Sequence, residues 1–145
     1  MVNLKEKPFY LSDDDVMWVE NTISEMTLHE KIGQLFIMLN EDRSPDYVKH
    51  MISTYHVGGS RYSPGKAHEI YELNKLMQET SKIPLLIAAN CDSGGNGACL
   101  DGTLIATGAQ TAATDSVRVA EQVGFVSGVE ASAIGCNWNF GPTFD

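Results

Sequence analysis

Pro84-Leu85-Leu86-Ile87-Ala88-Ala89 is an unbroken apolar run of strand length, and a polar, glycine-rich stretch from Asn90 to Thr103 follows it directly. An apolar run without alternation suits a strand buried on both faces, which is the habit of parallel sheets. Leu35-Phe36-Ile37-Met38-Leu39 reads the same way. Helical patterns separate these runs, so strand and helix alternate along the chain. That order predicts an α/β fold with about four parallel strands and flanking helices.

The helical segments carry their own start signals. Ser12 precedes Asp13, Asp14 and Asp15, an N-cap followed by acidic residues where the helix dipole favours negative charge. Val16, Val19, Ile23 and Met26 then recur at helical spacing and are expected to form a buried face. Thr27-Leu28-His29-Glu30 is a capping box that opens a short helix through Gly33 or Gln34. A helix is expected over 46–55, with Tyr47, Val48, Met51 and Ile52 inward. His56-Val57-Gly58-Gly59-Ser60 reads as a short strand. Lys66 to Ser81 is a further helix, with Ala67, Ile70, Leu73 and Met77 on one side. Residues 104–113 stay ambiguous. Thr114 or Asp115 is expected to cap a helix to Ile134 whose core stripe holds Val119, Val123, Val126 and either Val129 or Ala133. Gly135 suits its C-terminal cap, and Asn137 to Phe140 reads as the last strand.

Charge and cysteine usage exclude several classes. The 145 residues carry a net charge of −9, which disfavours nucleic acid as a partner. No apolar run is long enough to span a membrane, and the N-terminus does not read as a secretory signal. Cys91, Cys99 and Cys136 form no C-x-x-C pair, so reduced thiols and a cytoplasmic setting are expected. His29, His50, His56 and His68 share no ligand-like spacing with them, and no metal site is expected.

Loops at the C-terminal ends of parallel strands usually carry the site. Asn90 and Asp92 stand there after the clearest strand. Amides and carboxylates take the paired hydroxyls of polyols such as sugars, and small residues let a ligand approach the backbone. A flexible surface loop is the alternative. A phosphate loop is disfavoured, because Asp92 and Asp101 would repel the anion and no Gly-Lys-Ser/Thr is present. Asp145 follows the last strand and a Gly-Pro turn. Asp92 and Asp145 about 5 Å apart would suit retaining glycoside hydrolysis, whereas capping of turns is the alternative for each. His56 reads as a packed core residue rather than a base. Arg61 and Tyr62 fall near the site, as ligand contacts or as a solvated loop. Gly124 and Gly128 read as close packing of a helix against the sheet. A self-contained domain rarely ends on such an edge, so a fragment of a larger enzyme is expected.

Four segments in order resemble the N-terminal catalytic barrel of glycoside hydrolase family 3. They are Met26-Thr27-Leu28-His29-Glu30-Lys31-Ile32-Gly33-Gln34-Leu35-Phe36, His56-Val57-Gly58-Gly59, Ile83-Pro84-Leu85-Leu86-Ile87-Ala88-Ala89-Asn90, and the stretch from Glu130 to Asp145. The pattern is most similar to the β-N-acetylhexosaminidase branch, with β-glucosidases beside it. The resemblance implies the N-terminal half of a (β/α)₈ barrel over residues 1–145. It implies a retaining mechanism without a metal cofactor, and a carbohydrate substrate. It places sugar contacts at Asn90, where the family usually has Asp, at Asp92 and at Asp145. The family's nucleophile and acid/base lie beyond Asp145, so no catalytic role falls on this chain and the 145 residues alone are expected to be inactive. Two other readings stand beside hydrolysis: a non-catalytic sugar-binding half-barrel, and a half-barrel that dimerises through its open strand edges.

Overall fold

The computed structural model describes residues 2–143. Two helices, α1 (Asp13–Glu25) and α2 (Leu28–Gly33), precede the sheet. Then β1 (Ile37–Asn40), α3 (Pro45–Tyr55), β2 (Gly59–Tyr62), α4 (Ala67–Thr80) and β3 (Leu86–Ala89) alternate. A long connection holding a 3₁₀ turn (Gly95–Gly97) and α5 (Gly108–Ala113) leads to α6 (Val117–Ala133) and β4 (Trp138–Asn139). The four strands are parallel in the order β1-β2-β3-β4. Sequence order without reversal is the arrangement of a barrel wall, where every crossover steps the same way. A doubly wound sheet reverses its order at a switch point.

The local signals work where the chemistry is local. Ser12 Oγ accepts the Asp15 N–H at 3.2 Å while Asp15 receives the Ser12 N–H in return. Thr27 and Glu30 repeat the device at the start of α2. Gly135, at φ 88, takes the left-handed conformation just past the α6 C-cap, Ile134.

One face of the sheet is covered. Met38, Tyr62, Ile87 and Ala89 meet Val48 and Ile52 of α3 and Ile70, Leu73 and Met77 of α4 in one core. Ala131 and Ile134 of the α6 end, with Cys91, Cys99 and Cys136, extend it. Asn40 Nδ2 donates to Ser60 Oγ at 2.6 Å inside this layer and meets Met77 Sδ. Asn74 Nδ2 donates to Ile134 O at 2.8 Å and pins α4 to the end of α6.

The other face is bare, which corrects the expectation of doubly buried strands. Ile37, Leu39 and Leu86 alternate onto it and remain 37%, 50% and 48% exposed. Leu35 and Phe36 lie before the ladder and are exposed too. The strand starts also shift. β1 and β2 first meet where Gly58 N–H bonds Phe36 O, so β2 begins at Gly59. His56 instead ends α3 in the left-handed region, its N–H bonded to Ile52 O.

Three more expectations fail for reasons of neighbourhood. No residue of α1 is buried: Val16, Val19 and Met26 are half-exposed and Ile23 is exposed, because the stripe faces a shallow groove beside Lys31, Gln34 and Ile83 rather than the core. The stripe of α6 is Val123, Ser127 and Ala131; Val129 and Ala133 are exposed, and Val119 and Val126 are half-buried. That helix starts after Ser116, not at Thr114 or Asp115. Gly124 and Gly128 pack against nothing, since a Cβ at either would meet no atom within 4 Å.

Candidate functional site

The C-terminal ends of β2, β3 and β4 lie side by side, and the chain leaving β4 ties them together. Phe140 N–H bonds Ala89 O at 2.9 Å. Asn139 Oδ1 accepts the Cys91 N–H at 2.9 Å and the Gly141 N–H at 3.1 Å. Asp92 Oδ1 accepts the Thr143 N–H at 2.9 Å and the Thr143 hydroxyl at 3.4 Å. Asn90 is exposed at the end of β3, and Asp92 is half-buried two residues on. The sequence-predicted pair Asn90 and Asp92 therefore stands on one sheet edge beside the outgoing segment of β4. Asp145 lies outside the described residues.

The strand alternation sends Arg61 and Tyr62 to opposite faces. Arg61 faces the bare side, its guanidinium 5.3 Å from the centre of the Phe140 ring. Trp138 stands edge-on to Phe140 with ring centres 4.6 Å apart. Tyr62 turns into the core, where its hydroxyl donates to Ala98 O at 2.9 Å and meets Cys136 Sγ. Burial, then contact with Cys136, pushes the Tyr62 phenol well above its ordinary range. It is a core residue, not a ligand contact. His56 packs edge-on against His29 at the opposite end of the sheet.

The glycine-rich stretch is held by its own surroundings. A Cβ on Gly95 would collide with the Glu130 carboxylate, and one on Gly97 with Asn90 O. Gly94 has φ 133, a conformation other residues avoid. It forms an antiparallel bridge with Leu104. Glu130 accepts the Thr103 N–H at 2.7 Å and the Thr103 hydroxyl, and these bonds hold its carboxyl below the usual range. Gly95 thus serves the close packing of the loop on α6, while Gly94 and Gly97 let the loop pack on its own backbone at Thr103 and Asn90. Asp101 is likewise engaged, accepting the Ala67 N–H at the start of α4.

Chemical capacity follows from these environments. Cys91, Cys99 and Cys136 are unpaired and buried. Burial, then the neighbouring Cys136, pushes Cys91 up to about 11; burial raises the other two as well. None is a ready nucleophile near neutrality. Among the described residues no group of three His, Cys, Asp or Glu could hold a metal ion. Among the described residues no helix is long and apolar enough to cross a membrane. What remains at the sheet edge is one amide, one carboxylate, one guanidinium and two aromatic rings. The donors and rings match sugar recognition, where hydroxyls take hydrogen bonds and the ring faces stack. The aromatic pair was not singled out in the sequence, although Trp138 in β4 and Phe140 just past its end are two apart in the expected strand Asn137 to Phe140 and so share a face there.

Residues 27–145 match the family model described as the glycosyl hydrolase family 3 N terminal domain. Over all 145 residues the chain is 34% identical to a Cellulomonas fimi protein named beta-N-acetylglucosaminidase/beta-glucosidase and covers 26% of it. The solved structure of a beta-glucoside phosphorylase, BglX bound to 2FGlc, superposes with a TM-score of 0.87 at 38% identity, over 96% of this chain and 25% of that one. A glycoside hydrolase family 3 beta-N-acetylglucosaminidase from Paenibacillus sp. str. FPU-7 superposes at 0.71 over 81% of this chain and 24% of its own; at 24% identity it shares the fold. The chain spans about a quarter of the length of these relatives.

Proposed function

The chain belongs to glycosyl hydrolase family 3, and from that premise we propose that residues 1–145 are the N-terminal half of the catalytic barrel of a retaining β-glycosidase. The glycoside removed is a terminal β-linked N-acetylhexosamine. Asn90, Asp92 and Asp145 supply sugar contacts, while the nucleophile and the acid/base come from outside these residues. The reaction is double displacement: a carboxylate takes the anomeric carbon, and water then releases the sugar. No metal takes part. The observation that carries this reading is the seating of Asn90 and Asp92 on the C-terminal edge of a parallel sheet, beside β4. The unpaired thiols support a cytoplasmic setting. Neither nucleic acid nor membrane is a partner.

A second reading, β-glucoside cleavage, is favoured by the names of two relatives at 34% and 38% identity. One experiment separates them: the complete protein and residues 1–145 are each given aryl β-N-acetylglucosaminide and aryl β-glucoside. The first reading expects the complete protein to prefer the N-acetylglucosaminide and the 145 residues to turn over neither. Turnover by the 145 residues alone would overturn the division of labour. If the complete protein also cleaves nothing, a sugar-binding half-barrel or a homodimer paired through the β1 and β4 edges takes its place, and light scattering decides between those two.

A further inference from the structure

We infer that Asn139 is a positioning residue: its side chain fixes the peptide between Asn90 and Asp92 and so sets how these two sugar contacts stand; this rests on the glycoside reading above. β3 and β4 pair at Ala88 with Trp138 and at Ala89 with Asn139, and the ladder closes with the Phe140 N–H on Ala89 O at 2.9 Å. Two residues further along, the Cys91 N–H goes to a side chain instead. Asn139 Oδ1 takes it at 2.9 Å. The same oxygen accepts the Gly141 N–H at 3.1 Å, and Asn139 Nδ2 donates to Gly141 O at 3.2 Å. One amide thus joins the chain leaving β3 to the chain leaving β4.

Cys91 is buried, with exposed Asn90 and half-buried Asp92 on either side of it. Its carbonyl is held as well, since the buried Ser127 hydroxyl donates to Cys91 O at 3.2 Å. Cys91 is therefore the anchor, and the rotation of its two peptides aims both neighbours. Asp92 Oδ1 in turn takes the Thr143 N–H, two residues beyond Gly141. A Cβ on Gly141 would lie 2.7 Å from Asp92 Oδ1 and 3.3 Å from Asn139 Nδ2, so the two side chains crowd one glycine. An amide both accepts and donates there without setting a second carboxylate beside Asp92. Asn137, just before β4, gives the comparison. Its Oδ1 accepts the Ile87 N–H at 2.7 Å and its Nδ2 donates to Leu85 O at 2.9 Å. That is the same kind of staple onto β3, at the end away from Asn90.

The test measures aryl β-glycoside cleavage by the complete protein. Asn139→Ala is expected to raise KM by about tenfold while kcat stays within about threefold, because the groups it aims bind the sugar and do not react. Asn139→Asp, which keeps the acceptor for the Cys91 N–H, should recover part of the loss. Asn137→Ala removes a matching staple and should lower the melting temperature comparably, with KM within about twofold of the unaltered protein. An unchanged KM in Asn139→Ala would overturn the inference, as would an equal rise in Asn137→Ala, the mark of a merely structural staple. If the unaltered protein cleaves no glycoside, the functional reading fails separately, and amide hydrogen exchange of the complete protein decides. Asn139→Ala should then speed exchange at Cys91 by about tenfold and spare Ile87, and Asn137→Ala should do the reverse. Cys91 exchange untouched by Asn139→Ala removes the positioning role.

Discussion

The two faces of the sheet are built from the same strands and meet different surroundings. Met38, Asn40, Ser60, Tyr62 and Ile87 turn toward α3 and α4 and are buried or nearly so. Ile37, Leu39, Arg61, Leu86 and Trp138 alternate onto a face that no helix covers among the described residues. The covered face holds the core and its buried polar bonds. The bare face holds the aromatic pair and the Arg61 guanidinium beside it. The difference teaches that an apolar strand run states a requirement for cover on both sides. It does not state that the cover is within reach of the same segment of chain.

The contrast can be broken most directly by truncating one residue from each face. Ile70→Ala in the covered layer should cost about 2–5 kcal/mol, read by urea unfolding. A cost as small as that of a bare-face truncation would mean the covered layer is not the stability core. Tyr62→Phe should cost about 1–3 kcal/mol, because Ala98 O loses its buried donor. Gly95→Ala should cost about 1–3 kcal/mol through collision with Glu130, visible as faster proteolysis of the loop before global unfolding. Leu86→Ser on the bare face should stay within about 0.5 kcal/mol while lowering binding of an apolar dye.

Acid sharpens the comparison from another side. Glu30 is drawn down to about 2 by the Thr27 N–H, the Thr27 hydroxyl and Lys82, and Glu130 is lowered by Thr103. A carboxylate lowered in the folded state contributes stability above its usual range, and that contribution is lost as pH falls through the folded value. Melting temperature should therefore fall between about pH 4.5 and 2, and Glu30→Gln should flatten that slope. A slope unchanged in the variant would assign the acid loss to other groups.

Much of this was legible along the chain. The capping box of Thr27 with Glu30 spans three residues and formed as read, and Ser12 caps α1 as read, with its exchange of bonds with Asp15 added by the structure. The alternation of strand and helix, the placing of Asn90 and Asp92 on a loop after a strand, and the left-handed Gly135 also follow from neighbours in sequence. What the loop glycines pack against was not legible along the chain. Their partners, Glu130 and Thr103, stand 35 residues from Gly95 and 9 from Gly94. The α6 stripe was displaced because its valines recur at helical spacing on more than one side.

The sequence by itself determined most of the strands and helices, α5 excepted, where most of the helices begin, and that Asn90 and Asp92 follow β3, because those outcomes depend on hydrogen bonds and dihedral preferences within a few residues. Only the tertiary structure decided which apolar positions are buried, that Tyr62 enters the core while Arg61 lies against the Phe140 ring, and that Asp92 is bound to Thr143. Those depend on contacts between residues 36 to 79 positions apart, for which no local preference exists.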